Sequence, residues 1–183
     1  MMNKLKQFIN DSSLKKVDMS IVVMMSHGNN IDNTGRIVHG GFTQIYGVDN
    51  EGLQIDTVLD LFSAESCRAL AGKPKIFIFQ CCRGDKYETL HHDAAPMRDI
   101  KRKHSDMLIA FSTLPGFYSI RDTVQGSWYI QSIYEVFKRH TKEFDVETLL
   151  KIVDQELSKK HPTYKQTSMY ESRGFKCCYL NPK

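Results

Sequence analysis

A chain of 183 residues with 41% apolar and 25% charged side chains is long enough for one α/β domain with a sizeable core, which excludes a disordered or fibrous protein. Its net charge of +4 (25 basic, 21 acidic) is spread thinly, which excludes the concentrated basic field that nucleic acid or an anionic membrane would require of a partner. Five cysteines, four of them in the adjacent pairs Cys81-Cys82 and Cys177-Cys178, make a poor disulfide framework; with no signal-peptide core and no stretch near ~20 apolar residues, the reading is a cytoplasmic protein.

Along the chain, Leu5, Phe8 and Ile9 form the apolar face of an opening helix. Three continuous apolar runs, 21–25, 76–79 and 107–111, predict strands buried on both faces, as in a parallel sheet covered by helices. Residues 35–52 are rich in Gly, Asn and Asp and predict a small hairpin. Leu53, Ile55, Val58, Leu59, Leu61 and Phe62 predict a helix between the first two runs. Residues 84–105 are polar and aperiodic, and predict a long exposed loop or linker; within it, Lys101-Arg102-Lys103 reads as a localisation signal or a solvated loop. Tyr129, Ile133, Val136 and Phe137 predict a helix with Ser127 as its N-cap. Val146, Leu149, Leu150, Val153 and Leu157 predict another, capped by Asp145 and ended by Lys159-Lys160-His161. Phe175 and Leu180 bound a last strand, 175–180. This alternation makes the class α/β.

In an open α/β sheet, reactive groups gather at the carboxyl ends of strands. The first run ends in Ser26-His27-Gly28 and the second in Gln80-Cys81-Cys82-Arg83-Gly84. On neighbouring parallel strands, His27 and Cys82 emerge side by side, a base beside a thiol. A thiol of pKa ~8.5 is only a few per cent ionised at neutral pH, and an imidazole can take its proton and later protonate a leaving amine. The Gly28 N–H, with that of Cys82, suits an oxyanion hole. Taken singly, a His at a strand end is usually structural and a buried Cys usually inert.

The motifs go further. Q-C-C-R-G at 80–84 resembles the caspase signature Q-A-C-R-G, which has its His ~50 residues upstream; here the separation is 82 − 27 = 55. The match makes Cys82 the nucleophile and puts Cys81 where the family has a small Ala. Met25-Ser26-His27-Gly28 resembles L-S-H-G, Ile45-Tyr46-Gly47-Val48-Asp49 resembles I-Y-G-x-D, and Leu70-Ala71-Gly72-Lys73-Pro74-Lys75 resembles L-x-G-K-P-K. Phe111-Ser112-Thr113, Tyr118-Ser119-Ile120-Arg121-Asp122 and Gly126-Ser127-Trp128-Tyr129-Ile130-Gln131 resemble y-S-T, Y-x-S-W-R-N and G-S-W-F-I-Q. The resemblance spans essentially the whole chain in order.

The resemblance implies a caspase-like three-layer sandwich with a mostly parallel central sheet flanked by helices. It implies a large-subunit region at 1–84, an inter-subunit linker at 85–105 and a small-subunit region at 106–183. The implied activity is that of an Asp-directed cysteine endopeptidase of apoptosis or immune signalling, working through a Cys–His dyad and a thioester. Gln80 and Arg121 match residues that grip the substrate carboxylate, for which a planar guanidinium is suited. Ser119 and Arg121 match the segment that pairs with the substrate as an added strand, and Ile120 replaces the family's Trp, giving a smaller subsite wall. No cofactor is implied, and His91-His92 beside Cys81-Cys82 has the wrong spacing for structural zinc. Processing is expected after Asp93, which precedes small Ala94. The strand 175–180, from Phe175 to Leu180, is expected to pair with its twin in a homodimer, or with another caspase in a heterodimer. The family's opening strand–helix–strand unit, with its second specificity Arg, has no match here, so the domain reads as N-terminally truncated and the run 21–25 as a naked apolar edge. The alternative function is therefore an impaired homologue that regulates a full-length caspase by dimerising with it.

Overall fold

The computed structural model describes residues 1–38, 40–84 and 104–181. Asp93, His91, His92 and the basic run at 101–103 lie outside the described residues, as does most of the expected linker.

The central sheet has four strands in the order β1 (Ser20–Met25), β5 (Lys75–Gln80), β6 (Met107–Phe111) and β9 (Met169–Arg173). The first three are parallel and β9 is antiparallel to β6. The runs 76–79 and 107–111 thus form strands as expected. Both are buried along their whole length because helices cover both faces of the sheet. On one face Phe77, Phe79, Met107, Ile109 and Phe111 pack with Val58 and Leu59 of α2 (Ile55–Leu61) and with Phe62, and Leu5 and Ile9 of α1 (Met2–Ile9) close the edge. On the other, Ile76, Ile78, Leu108 and Ala110 meet α3 (Trp128–His140) and α4 (Val146–Ser158). The strand period of two sorts each run into two cores, which gives the three layers.

Both long helices start where their caps dictate. The Ser127 hydroxyl accepts from Ile130 N–H at 3.3 Å, and the Asp145 carboxylate accepts from Glu147 N–H at 3.0 Å and Thr148 N–H at 3.3 Å. The helix expected from Leu53 begins later, at Ile55, because Leu53 belongs to β4 (Gly52–Gln54). The hairpin expected at 35–52 is larger: β2 (Gly28–Ile31), β3 (Phe42–Tyr46) and β4 make a three-stranded antiparallel sheet that starts immediately after His27.

Two expectations are corrected. The run 21–25 is not buried on both faces: β1 is an edge strand, with Ile21, Val23 and Met25 exposed by 46%, 50% and 56%. Val22 and Met24 reach the α1–α2 core, but the α3–α4 core includes no β1 residue, so among the described residues nothing covers the other face of the strand. That outcome agrees with the naked apolar edge expected of this run. The last strand does not run from Phe175 to Leu180; it is β9, earlier in the chain. Gly174, at φ 59°, ends β9 in a left-handed turn, after which Phe175, Cys178 and Leu180 pack on the α3–α4 core and Cys178 C=O accepts from Val146 N–H at 2.9 Å. Those apolar residues therefore serve a core rather than a strand.

Candidate active site

The carboxyl ends of β1, β5 and β6 lie along one edge of the sheet. Met25 is in register with Gln80, so His27 and Cys82 stand two residues beyond the same ladder step. Ser26 N–H still donates to Gln80 C=O at 3.1 Å, which holds the two strand ends together beyond the regular pairing. Tyr46 N–H donates to His27 C=O at 2.9 Å, and the Ser26 hydroxyl to Tyr46 C=O at 2.7 Å, so the β2–β3 sheet pins the His27 backbone.

Gly28 is where the two ends touch. A Cβ there would lie 2.7 Å from Gln44 O, 2.9 Å from Cys81 Cβ and 2.9 Å from Cys82 O. Only a residue without a side chain lets the backbone after His27 lie against the backbone of Cys82.

The two adjacent thiols differ. Cys81 is buried in the α1–α2 core, and burial pushes its pKa up to about 12, with Arg83 opposing the shift. Such a thiol is not a nucleophile near neutral pH. Cys82 is half-buried; its Sγ accepts from Ser119 N–H at 3.4 Å and lies 3.9 Å from Ser119 C=O. The His27 side chain is exposed, and the hydrogen bonds of the Cys82 thiol run to Ser119 rather than to the imidazole. The register brings His27 and Cys82 to the same end of neighbouring strands, and no hydrogen bond joins the two side chains. Catalytic hydrogen bonds are often long before substrate binds.

The other expected residues flank the thiol. Gln80 is buried; its Nε2 donates to Ser119 Oγ at 2.5 Å, while its Oε1 is buried without a partner among the described residues. Arg121 is exposed on the short β7 (Arg121–Asp122), which pairs with β8 (Gly126–Ser127). Ile120 is half-buried, its N–H donating to Gln166 Oε1 at 2.6 Å and its C=O accepting from Trp128 N–H at 3.3 Å. Among the described residues no group of three or more His, Cys, Asp or Glu could hold a metal ion.

Two residues at this edge carry no role in the motif reading. Arg83 is buried: its Nε donates to Thr43 Oγ1 at 3.0 Å and Nη1 to Thr113 C=O at 3.3 Å, with the guanidinium 4.1 Å over the Phe111 ring. Burial without a bonded carboxylate draws its pKa down to about 10. Arg83 belongs to the signature, and that membership was the signal available in the sequence. Gln166 gave no signal: it lies among Lys165, Thr167 and Ser168, a stretch that reads as loop.

Comparison with known proteins places this geometry in context. The family model described as "Caspase domain" matches residues 1–179. Caspase drICE of Drosophila melanogaster is 37% identical over 129 residues, which is 66% of this chain and 38% of that protein. Caspase-6 of Rattus norvegicus is 34% identical over 67% of this chain and 50% of its own length, and Caspase-6 of Gallus gallus 29% over 91% and 59%. The crystal structure of Caspase-1 from Spodoptera frugiperda superposes with a TM-score of 0.78 at 27% identity, covering 99% of this chain and 69% of that one. The chain thus spans from 38% to 59% of the length of these curated relatives.

Proposed function

This chain belongs to the caspase family, and from that premise we propose that it is a cysteine endopeptidase cleaving after Asp, with Cys82 as nucleophile and His27 as its base. His27 takes the thiol proton, and the thiolate attacks the carbonyl carbon. The Gly28 and Cys82 N–H groups hold the developing oxyanion, and the imidazolium protonates the departing amine. Water then hydrolyses the thioester. Gln80 and Arg121 receive the substrate carboxylate. The substrate backbone lies along Ser119 and Arg121, beside the Cys82 thiol, with Ile120 forming the subsite wall.

The observation that carries this reading is the close approach at Gly28, which leaves room for no side chain between the strand end bearing His27 and the carbonyl of Cys82. Around it we place the large-subunit region at 1–84, the linker at 85–105 with processing after Asp93, and the small-subunit region at 106–183. We place the enzyme in the cytoplasm, in apoptosis or immune signalling, and as a dimer with itself or another caspase. β9 is the outer strand of the sheet on the side opposite β1.

Hydrolysis of a fluorogenic Leu-Glu-His-Asp peptide tests the reading. Turnover is expected to fall by roughly 10⁴-fold or more in Cys82→Ala, and to vanish when Ala replaces the peptide's Asp. Turnover that survives Cys82→Ala, or that ignores the Asp, refutes it. Mass spectrometry of the same preparation checks the Asp93-Ala94 bond, and cleavage elsewhere removes that assignment. The alternative reading is an impaired homologue that regulates a full-length caspase by dimerising with it. A folded dimer without turnover would select it.

A further inference from the structure

The segment 119–121 must stay beside Cys82 to receive a substrate strand, yet it is short and partly exposed. What holds it is a buried polar chain. The Ser112 hydroxyl donates to Cys81 C=O at 3.1 Å, and Ser112 C=O accepts from Gln166 Nε2 at 2.7 Å. Gln166 Oε1 then accepts from Ile120 N–H at 2.6 Å. Gln166 is only 3% exposed. A carbonyl on one side and an N–H on the other admit one orientation of its amide, so the residue acts as a fixed donor–acceptor bridge. It links the end of β6, and through Ser112 the backbone of the nucleophile strand, to the middle of the segment 119–121.

The bridge also decides which way that segment faces. Trp128 N–H donates to Ile120 C=O, so both backbone groups of Ile120 turn inward, one to Gln166 and one to the β8 side. In extended chain, successive residues present their backbone groups to opposite sides. The groups of Ser119 and Arg121 therefore face the other way, and Ser119 N–H is found 3.4 Å from Cys82 Sγ. We infer that Gln166 is a positioning residue for substrate binding: it sets the outward face of Ser119–Arg121 against Cys82 without itself touching substrate. This inference rests on the peptidase reading above.

The test uses the full chain and inactivation by a Leu-Glu-His-Asp fluoromethyl ketone, which separates binding (KI) from reaction at sulfur (kinact). Alkylation by iodoacetamide and thermal melts run beside it. In Gln166→Met, which keeps volume and loses both hydrogen bonds, KI should rise roughly tenfold, with kinact within about twofold and iodoacetamide reactivity unchanged. Gln166→Glu adds a signature that a merely structural role would not produce. Protonated, the introduced carboxyl can donate to Ser112 C=O and accept from Ile120 N–H; ionised, it loses the donor and sets a charge against a carbonyl. Burial raises its pKa toward neutrality, so the ratio of variant to wild-type KI should approach one near pH ~5.5 and climb roughly tenfold by pH ~8.

An unchanged KI in Gln166→Met, or a ratio flat with pH in Gln166→Glu, overturns the inference while leaving the peptidase reading intact. A fall of kinact and iodoacetamide reactivity together with the melting temperature also overturns it, in favour of a structural role. If Gln166→Met fails to fold, the pH ratio of Gln166→Glu decides. A wild type that reacts with iodoacetamide at Cys82 but ignores the ketone overturns the peptidase reading, and this inference with it.

Discussion

The two sides of the cleft are built differently. Cys82 follows β5, which is buried from end to end between two helical layers. The turn after it is locked: Arg83 N–H donates to Phe117 C=O at 2.9 Å, Gly116 N–H to Arg83 C=O at 2.7 Å, and the Arg83 side chain grips Thr43 and Thr113. His27 follows an edge strand with one bare apolar face, and its side chain is exposed. Its backbone is held at Ser26 and Tyr46, but no hydrogen bond among the described residues fixes its ring. The turn bearing Cys82 is thus held by backbone and side-chain hydrogen bonds, whereas among the described residues the His27 side chain has none. In the proposed mechanism the backbone donors of both sides, Gly28 N–H and Cys82 N–H, are held in place, and the imidazole is the group left to turn toward the thiol.

The largest expected contrast is between two cationic or ionisable residues, one on each side. Arg83→Ala removes a buried side chain and leaves Thr113 C=O short of a donor, which should cost about 3–4 kcal/mol of stability in urea denaturation. His27→Ala removes an exposed ring and should leave stability within ~0.5 kcal/mol while abolishing most turnover. Comparable destabilisation by the two would break the contrast.

Gly28→Ala probes the seam itself. The new methyl would meet Gln44 O and Cys82 O at under 3 Å, and both are backbone atoms that cannot swing aside. The seam must open by a few tenths of an ångström, moving the N–H proposed as an oxyanion donor. Loss of a single such donor lowers kcat roughly 10²- to 10³-fold, and the variant should fall within that range. A variant as active as wild type would show that the Gly28 N–H takes no part.

What the sequence disclosed follows from where each side chain is buried. Runs 76–79 and 107–111 were legible because a strand covered on both faces must be apolar at every position. Ser127 and Asp145 were legible because a cap is a local interaction across three residues. β9 was not, because Met-Tyr-Glu-Ser-Arg is an outer strand whose pattern answers to β6 rather than to a core of its own, while the more apolar stretch beyond it packs on helices. The exposure of β1 could not be read from its composition, which matches that of a covered strand; only the resemblance pointed to it. His27 and Cys82 were legible as a motif, and the register of β1 on β5 supplies the distance relation that a motif lacks. Gln166 acts across 46 and 54 residues of chain, a separation at which a lone amide leaves no local pattern.

The smallest effect comes from the other thiol on the locked side. Cys81 sits in the core with its pKa raised to about 12 from 9.0, chiefly by burial. The sign follows from linkage. Below the unfolded-state pKa both states hold the proton, and stability is fully present. As pH rises above it, the unfolded thiol ionises while the folded one does not, so stability falls until the folded pKa is reached. The loss opens near pH 9 and should amount to about 1.4 kcal/mol at pH 10. In urea melts at pH 8, 9 and 10, Cys81→Ala should differ from wild type by an amount that shifts toward the variant by that much across the series. A difference that stays flat with pH would mean that the Cys81 thiol ionises as readily in the folded protein as in the unfolded chain, and its place as a sealed core thiol would fail.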